Sequence, residues 1–247
     1  MPARRERPAR RQIPGSMMRA RVRVPCVVLI LVMAAFVPRV AAAQDARPAP
    51  PDALGSEPAP ATRWRAGVFL GGAKNSPVTA GLGQIAGRDH LFVGVQAQTT
   101  ILKIRSVRIS YGVQILPAVI VRGKTLPIGY EEGGFYQELR DDRNIAYAFG
   151  FSPFGLEVAV PVAGRVSAYA ATSAGMLIFT RSFPVRFAQQ ANFALEYGGG
   201  LMIRTGASQW IQAGYKFHHL SNAYRAIVNP GLDANVFYLS YWRTIGR

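Results

Sequence analysis

Residues 91–101 read LFVGVQAQTTI, and taking every second residue separates them into two faces. Leu91, Val93, Val95 and Ala97 fall on one side, Gly94, Gln96 and Gln98 on the other. A period of two belongs to a strand whose faces meet different surroundings. The pattern recurs on moving outward from this segment. In 107–119, Ile109, Tyr111, Val113 and Ile115 oppose Arg108, Ser110, Gly112 and Gln114. Further on, Phe154, Leu156, Val158 and Val160 oppose Gly155, Glu157 and Ala159. Eight segments of this kind can be drawn: 64–73, 91–101, 107–119, 147–160, 166–179, 192–204, 209–220 and 234–242. Each is near the length of about ten residues that a tilted strand needs to cross a bilayer.

A soluble sandwich alternates too, so the period alone does not choose between them. Two further features do. The polar face is rich in Gly, Ala, Ser and Gln, with isolated charges at Glu157, Glu196 and Lys216, which suits the crowded inside of a small barrel. The connections also alternate in length. Residues 74–90, 120–146, 180–191 and 221–233 are long, whereas Ala163-Gly164-Arg165 and Thr205-Gly206-Ala207-Ser208 are tight. Short turns at one end and long loops at the other are the asymmetry of an outer-membrane barrel. The expected fold is therefore all-β: an eight-stranded antiparallel transmembrane β-barrel over 63–247. Tyr241 and Trp242, close to the end, are expected to stand in an aromatic belt at the membrane interface.

Ahead of the barrel lie segments of different character. Arg19, Arg21 and Arg23 precede an apolar run over 26–37 bracketed by Pro25 and Pro38, and Ala41-Ala42-Ala43 follows. The run is too short to span a core of about 30 Å as a helix and reads as a signal peptide, 1–43 with its N-terminal extension, cleaved after Ala43. The Pro/Ala-rich stretch 44–62 reads as a leader. Cleavage would remove nine arginines and Glu6, so the net charge falls from +16 to +8. An exported chain with that balance is not expected to bind nucleic acid; anionic lipid headgroups fit better. Cys26, the single cysteine, leaves with the signal, so no disulfide, thiol nucleophile or cysteine metal site is expected. With three histidines and no carboxylate cluster, neither a metal nor another cofactor is expected.

The stretch that bears on chemistry is 216–233, KFHHLSNAYRAIVNPGLD. His219 and Ser221 are two residues apart on a strand and leave the same face. Ile211, Ala213, Tyr215 and Phe217 share their parity, an apolar row that would face lipid, while Gln212, Gly214, Lys216 and His218 suit the interior. A histidine and a hydroxyl at the outer end of a lipid-facing row need polar partners or an interface. By itself an H-x-S string has little weight, Asn229-Pro230-Gly231 is also ordinary turn chemistry, and His90 reads as a polar loop residue.

The run His219-Leu220-Ser221-Asn222-Ala223, followed by Asn229-Pro230-Gly231 and an acidic residue, resembles the lipid A 3-O-deacylases of the PagL type. The resemblance implies an outer-membrane serine esterase that removes an ester-linked acyl chain from lipid A in lipopolysaccharide. It implies Ser221 as nucleophile, His219 as general base and Asp233 as the acid that orients the imidazole, with Asn222 and Asn229 supporting the oxyanion. The family pattern commonly carries glutamate where Asp233 stands. Strand pairing agrees with this set, because the end of the seventh strand lies beside the start of the eighth. Asp233 shares parity with the apolar Phe237, Leu239 and Tyr241, which puts all three groups on the outer wall. A non-enzymatic structural, adhesive or small-pore barrel and a lipid A acyltransferase remain as alternatives, and a homodimer is a possible assembly.

Overall fold

The computed structural model describes residues 64–79, 82–132 and 135–245. The segments read from the sequence as a signal peptide, 1–43, and a leader, 44–62, lie outside the described residues. Ten strands run along the described chain: β1 (Trp64–Ala73), β2 (Asp89–Ile104), β3 (Val107–Arg122), β4 (Thr125–Glu132), β5 (Phe135–Asp141), β6 (Ile145–Ala163), β7 (Val166–Phe179), β8 (Ala191–Arg204), β9 (Gln209–Ser221) and β10 (Leu232–Ile245). Eight of them close into an antiparallel barrel in the order β1-β10-β9-β8-β7-β6-β3-β2. Each barrel strand pairs with its chain neighbour within the barrel, and β1 meets β10 through Val68↔Tyr241 and Leu70↔Leu239 to close the wall.

Closure follows from the two faces. Val68, Leu70, Val93, Val95, Leu195, Leu201 and Leu239 point outward and are exposed, a continuous apolar wall that only lipid can cover. The inward face is polar but satisfied. Glu157 accepts from Gln98 at 3.0 Å and Gln212 at 2.9 Å and pairs with Arg65 at 3.5 Å. Glu196 pairs with Lys216 at 2.8 Å. Buried charges persist when opposite charges and hydrogen bonds meet them. A cavity of about 100 Å³ lies inside the barrel among Gln98, Glu157, Gln212 and Trp242, room for ordered water.

The structure departs from the sequence reading in four places. Residues 120–146 are not a plain loop, because β4 and β5 form a separate hairpin there. Its Tyr130 and Leu139 are buried with Phe179, Phe183 and Val185 in a cluster that caps the outer end of the barrel. His90 belongs to β2, faces inward, and stacks on Phe92 with ring centres 5.9 Å apart. Trp242 also points inward, where its indole N–H donates to Gln212 at 2.8 Å, so Tyr241 alone of that pair faces lipid. In β6 the outward row changes parity, from Tyr147, Phe149 and Phe151 to Phe154 and Leu156. The pairing with β7 slips between Phe151 and Phe154, where Pro153 offers no N–H to the ladder.

The cap is held to the rim by Arg88. Its side chain is fully buried, 3.7 Å from Asp141 of β5, and donates to Thr125 of β4 at 2.6 Å and to the Pro184 carbonyl at 3.4 Å. Burial pulls this guanidinium down to about 10, against the opposing pull of Asp141, so it stays charged at neutral pH.

Candidate active site

The site forms where β9 ends and β10 begins. In the antiparallel register His219 stands directly opposite Asp233, and on its other side opposite Leu195 of β8. The imidazole Nδ1 lies 2.6 Å from Asp233 Oδ1. With the proton on Nδ1 it donates to the carboxylate and leaves Nε2 as an acceptor on the outer wall. Ser221 is the last residue of β9, opposite Phe193, with its side chain on the same face as His219.

After Ser221 the chain turns sharply. Ala223 and Tyr224 both adopt left-handed backbone, φ +52° and +59°, a conformation that non-glycine residues adopt at a cost. The turn aims the Ala223 N–H at Ser221 Oγ, 3.0 Å away. Asn229 returns to the same place. Its Oδ1 accepts the Asn222 backbone N–H at 3.0 Å, which fixes the amide orientation, and its Nδ2 donates to Ser221 Oγ at 3.0 Å. The Ser221 hydroxyl also lies 3.1 Å from Asn229 Oδ1, and no hydrogen bond joins it to His219. The two asparagines therefore differ. Asn229 touches the hydroxyl, whereas the buried Asn222 side chain donates to the Val228 carbonyl at 2.8 Å and braces the loop.

Two contacts come from distant parts of the chain. The Gly83 N–H donates to Asp233 Oδ2 at 3.1 Å, so both carboxylate oxygens are held. A Cβ at Gly83 would stand 2.6 Å from Asp233 Cγ, so the approach requires glycine. The first loop is fastened there by Gln84 N–H to Pro230 O at 2.7 Å and by a parallel bridge between Ile85 and Leu232. Asp233 is consequently fully buried under the loop and does not stand on an open wall as its parity suggested. The second contact is from Tyr130 on the β4–β5 hairpin, whose hydroxyl accepts the Asn229 N–H at 3.0 Å. Among the described residues no cluster of three His, Cys, Asp or Glu could hold a metal ion.

The family model for lipid A 3-O-deacylase (PagL) matches residues 107–242, from the start of β3 almost to the end of β10. The chain belongs to that family. It is thus an ester-hydrolysing enzyme of the outer membrane that acts in lipid A deacylation. The match takes in His219, Ser221, Asn222, Asn229, Asp233 and Tyr130 but not Gly83, whose loop precedes it. Among solved structures, the outer membrane enzyme PagL is similar over 72% of this chain and 99% of its own, with 14% identity and a TM-score of 0.49. Neisserial surface protein A is similar over 74% and 97%, at 9% identity and a TM-score of 0.45. Ail of Yersinia pestis is similar over 74% and 97%, at 13% identity and a TM-score of 0.37. Among curated protein sequences none matches this chain.

Proposed function

We propose that this chain removes the 3-O-linked acyl chain of lipid A by serine catalysis on the outside of its barrel. The observation that supports this most is the 2.6 Å contact of His219 Nδ1 with Asp233, with Ser221 two residues along on the same face. A carboxylate on Nδ1 holds the tautomer that leaves Nε2 basic and stabilises the imidazolium that forms. In this reading the hydroxyl turns from Asn229 toward His219 as substrate binds, and its proton passes to Nε2.

Ser221 Oγ then attacks the ester carbonyl carbon while His219 takes the hydroxyl proton. The oxyanion that develops lies beside the donors already gathered at Oγ, the Ala223 N–H and Asn229 Nδ2. Asn222 supports that arrangement through its backbone N–H and its hold on Val228. When the tetrahedral species collapses, the C–O bond to the sugar breaks, and the sugar oxygen takes the proton from His219. Water, deprotonated by His219, attacks the acyl-Ser221 ester, releases the fatty acid and restores the hydroxyl. Asp233, held on its second oxygen by Gly83, keeps its orientation throughout.

The test is incubation of purified chain with lipid A in ¹⁸O-water. The expected result is one free hydroxy fatty acid carrying ¹⁸O and a lipid A lighter by that chain, both absent with Ser221→Ala. Transfer of the acyl group to another lipid, with no labelled acid, would replace hydrolysis by acyl transfer.

A further inference from the structure

Next to the site the outer wall carries a groove of about 550 Å³ over the outer ends of β10, β1, β2 and β3. Two rows build it, one above the other. In the lower row the pairings run Phe237↔Gly72, Gly72↔Leu91 and Leu91↔Ile120, all outward-facing positions. Gly72 interrupts this apolar row and leaves a notch between the Phe237 and Leu91 side chains. An added Cβ at Gly72 would meet only the His90 carbonyl, at 3.4 Å, so the notch is open space on the wall and not a close backbone approach.

The upper row lies two residues closer to the outer rim. Asp89 pairs with Arg122 there, and continuing the β1–β2 register by one residue puts Lys74 beside Asp89. Lys74 and Arg122 are both exposed, and among the described residues neither makes an ion pair. The one acid in the row, Asp89, already accepts the Asn75 N–H at 3.0 Å. With Asp89 between them the two cations leave the row at a net charge of +1 over an apolar notch, which suits an amphiphile with an anionic head and an acyl chain. On β10, Asp233 lies two residues outward from Asn235 in the upper row and four from Phe237 in the lower. At about 3.3 Å per residue and about 4.8 Å between strands, Lys74 is on the order of 8 Å from the Asp233 position. One lipid can reach both places.

We infer that this groove seats the phosphorylated part of the same lipid A molecule whose ester is cut, with phosphate on Lys74 and Arg122 and an acyl chain in the notch at Gly72. The inference rests on the lipid A reading above. Lys74, Asp89, Gly72 and Leu91 all precede the stretch matched by the family model. Arg122, Ile120 and Phe237 lie within it, so the groove joins matched and unmatched strands.

The experiment uses the full chain in detergent micelles with phosphorylated lipid A and the same lipid A after its phosphates are removed. Binding is read on Ser221→Ala, where no turnover interferes, and rates are read on the Ser221 enzyme. Lys74→Gln with Arg122→Gln is expected to weaken binding of phosphorylated lipid A about tenfold, and to raise its KM about tenfold with kcat within twofold. On dephosphorylated lipid A the double variant should behave as the parent does. Gly72→Leu, which fills the notch, should raise KM on both lipids. For the Lys74→Gln, Arg122→Gln double variant, equal changes on the two lipids, no change on either, or weaker binding without a KM effect would overturn the proposal; the last would mean that the groove holds a lipid other than the one being cut. Because binding is read without catalysis, a chain that hydrolyses neither lipid would count against the serine-esterase reading and leave this measurement standing.

Discussion

β9 carries two adjacent histidines, and comparing their surroundings shows why the proposed chemistry is assigned to one and not to the other. His218 points into the barrel and His219 out of it, yet each sets Nδ1 on a carboxylate directly across the ladder. His218 lies 2.8 Å from Glu196 of β8, and His219 lies 2.6 Å from Asp233 of β10. The pair geometry alone therefore does not mark a site. Access and the third partner do. The His218 Nε2 is fully buried without a partner, against the edge of the Phe92 ring at a centroid distance of 5.0 Å. Glu196 is also claimed by Lys216 and Ser173, at 2.8 Å each, so the inner trio is a closed ion network that braces the wall. His219 keeps part of its ring exposed at the outer wall and has a hydroxyl on its own face. The same motif, turned through one residue, is a brace inside the barrel and, under the proposed function, a base outside it.

The largest effect expected from this contrast is at the serine. Ser221→Ala and His219→Ala should each lower deacylation by roughly 10⁴ to 10⁶, with the heat-modifiable gel shift of a folded barrel unchanged. His218→Ala should do the opposite. Activity should stay within about threefold, while loss of a bond to buried Glu196 costs about 1–3 kcal/mol and lowers the temperature at which the gel shift is lost. If His218→Ala is as inactive as His219→Ala, the assignment of the two faces fails.

Next in size is Asp233→Asn, for which turnover should fall by about 10² to 10⁴, since an orienting group acts one step from the bonds that change. The amide can still bond Gly83 or His219, but not hold the imidazolium. Asp233→Glu is expected to recover part of the rate only if the first loop yields, because Gly83 packs against the carboxyl carbon. A smaller effect than that of Asp233→Asn belongs to Tyr130→Phe. It leaves the part-buried Asn229 N–H without that acceptor and should lower kcat about tenfold with little change in KM. An unchanged kcat would mean that the hairpin does not set the position of Asn229.

How far the sequence reached can be judged from particular residues. β1 begins and ends where alternation places it, and the inward positions of Glu157, Glu196, Lys216 and His218 follow from parity alone. The opposition of His219 and Asp233 follows from the same rule applied to two antiparallel neighbours. What parity cannot register is contact between distant loops. Gly83 meets Asp233 across 150 residues, and Tyr130 meets Asn229 across 99, with no period to announce either. The β4–β5 hairpin was missed within the connection 120–146, because neither strand is long enough to count as a membrane strand. Trp242 was misread because an aromatic near the end of a barrel suggests an interface belt, whereas an indole N–H within reach of a buried Gln212 favours the interior.

The most direct measurement of the outer-wall claim is covalent capture of the serine by a lipophilic fluorophosphonate, with the adduct located by peptide mass spectrometry. The account predicts an adduct on the peptide bearing Ser221, formed at similar rates in the parent and in His218→Ala, and slowed by at least about a hundredfold in His219→Ala and in Asp233→Asn. An adduct on a different serine, or capture of Ser221 at an unchanged rate in His219→Ala, would contradict it.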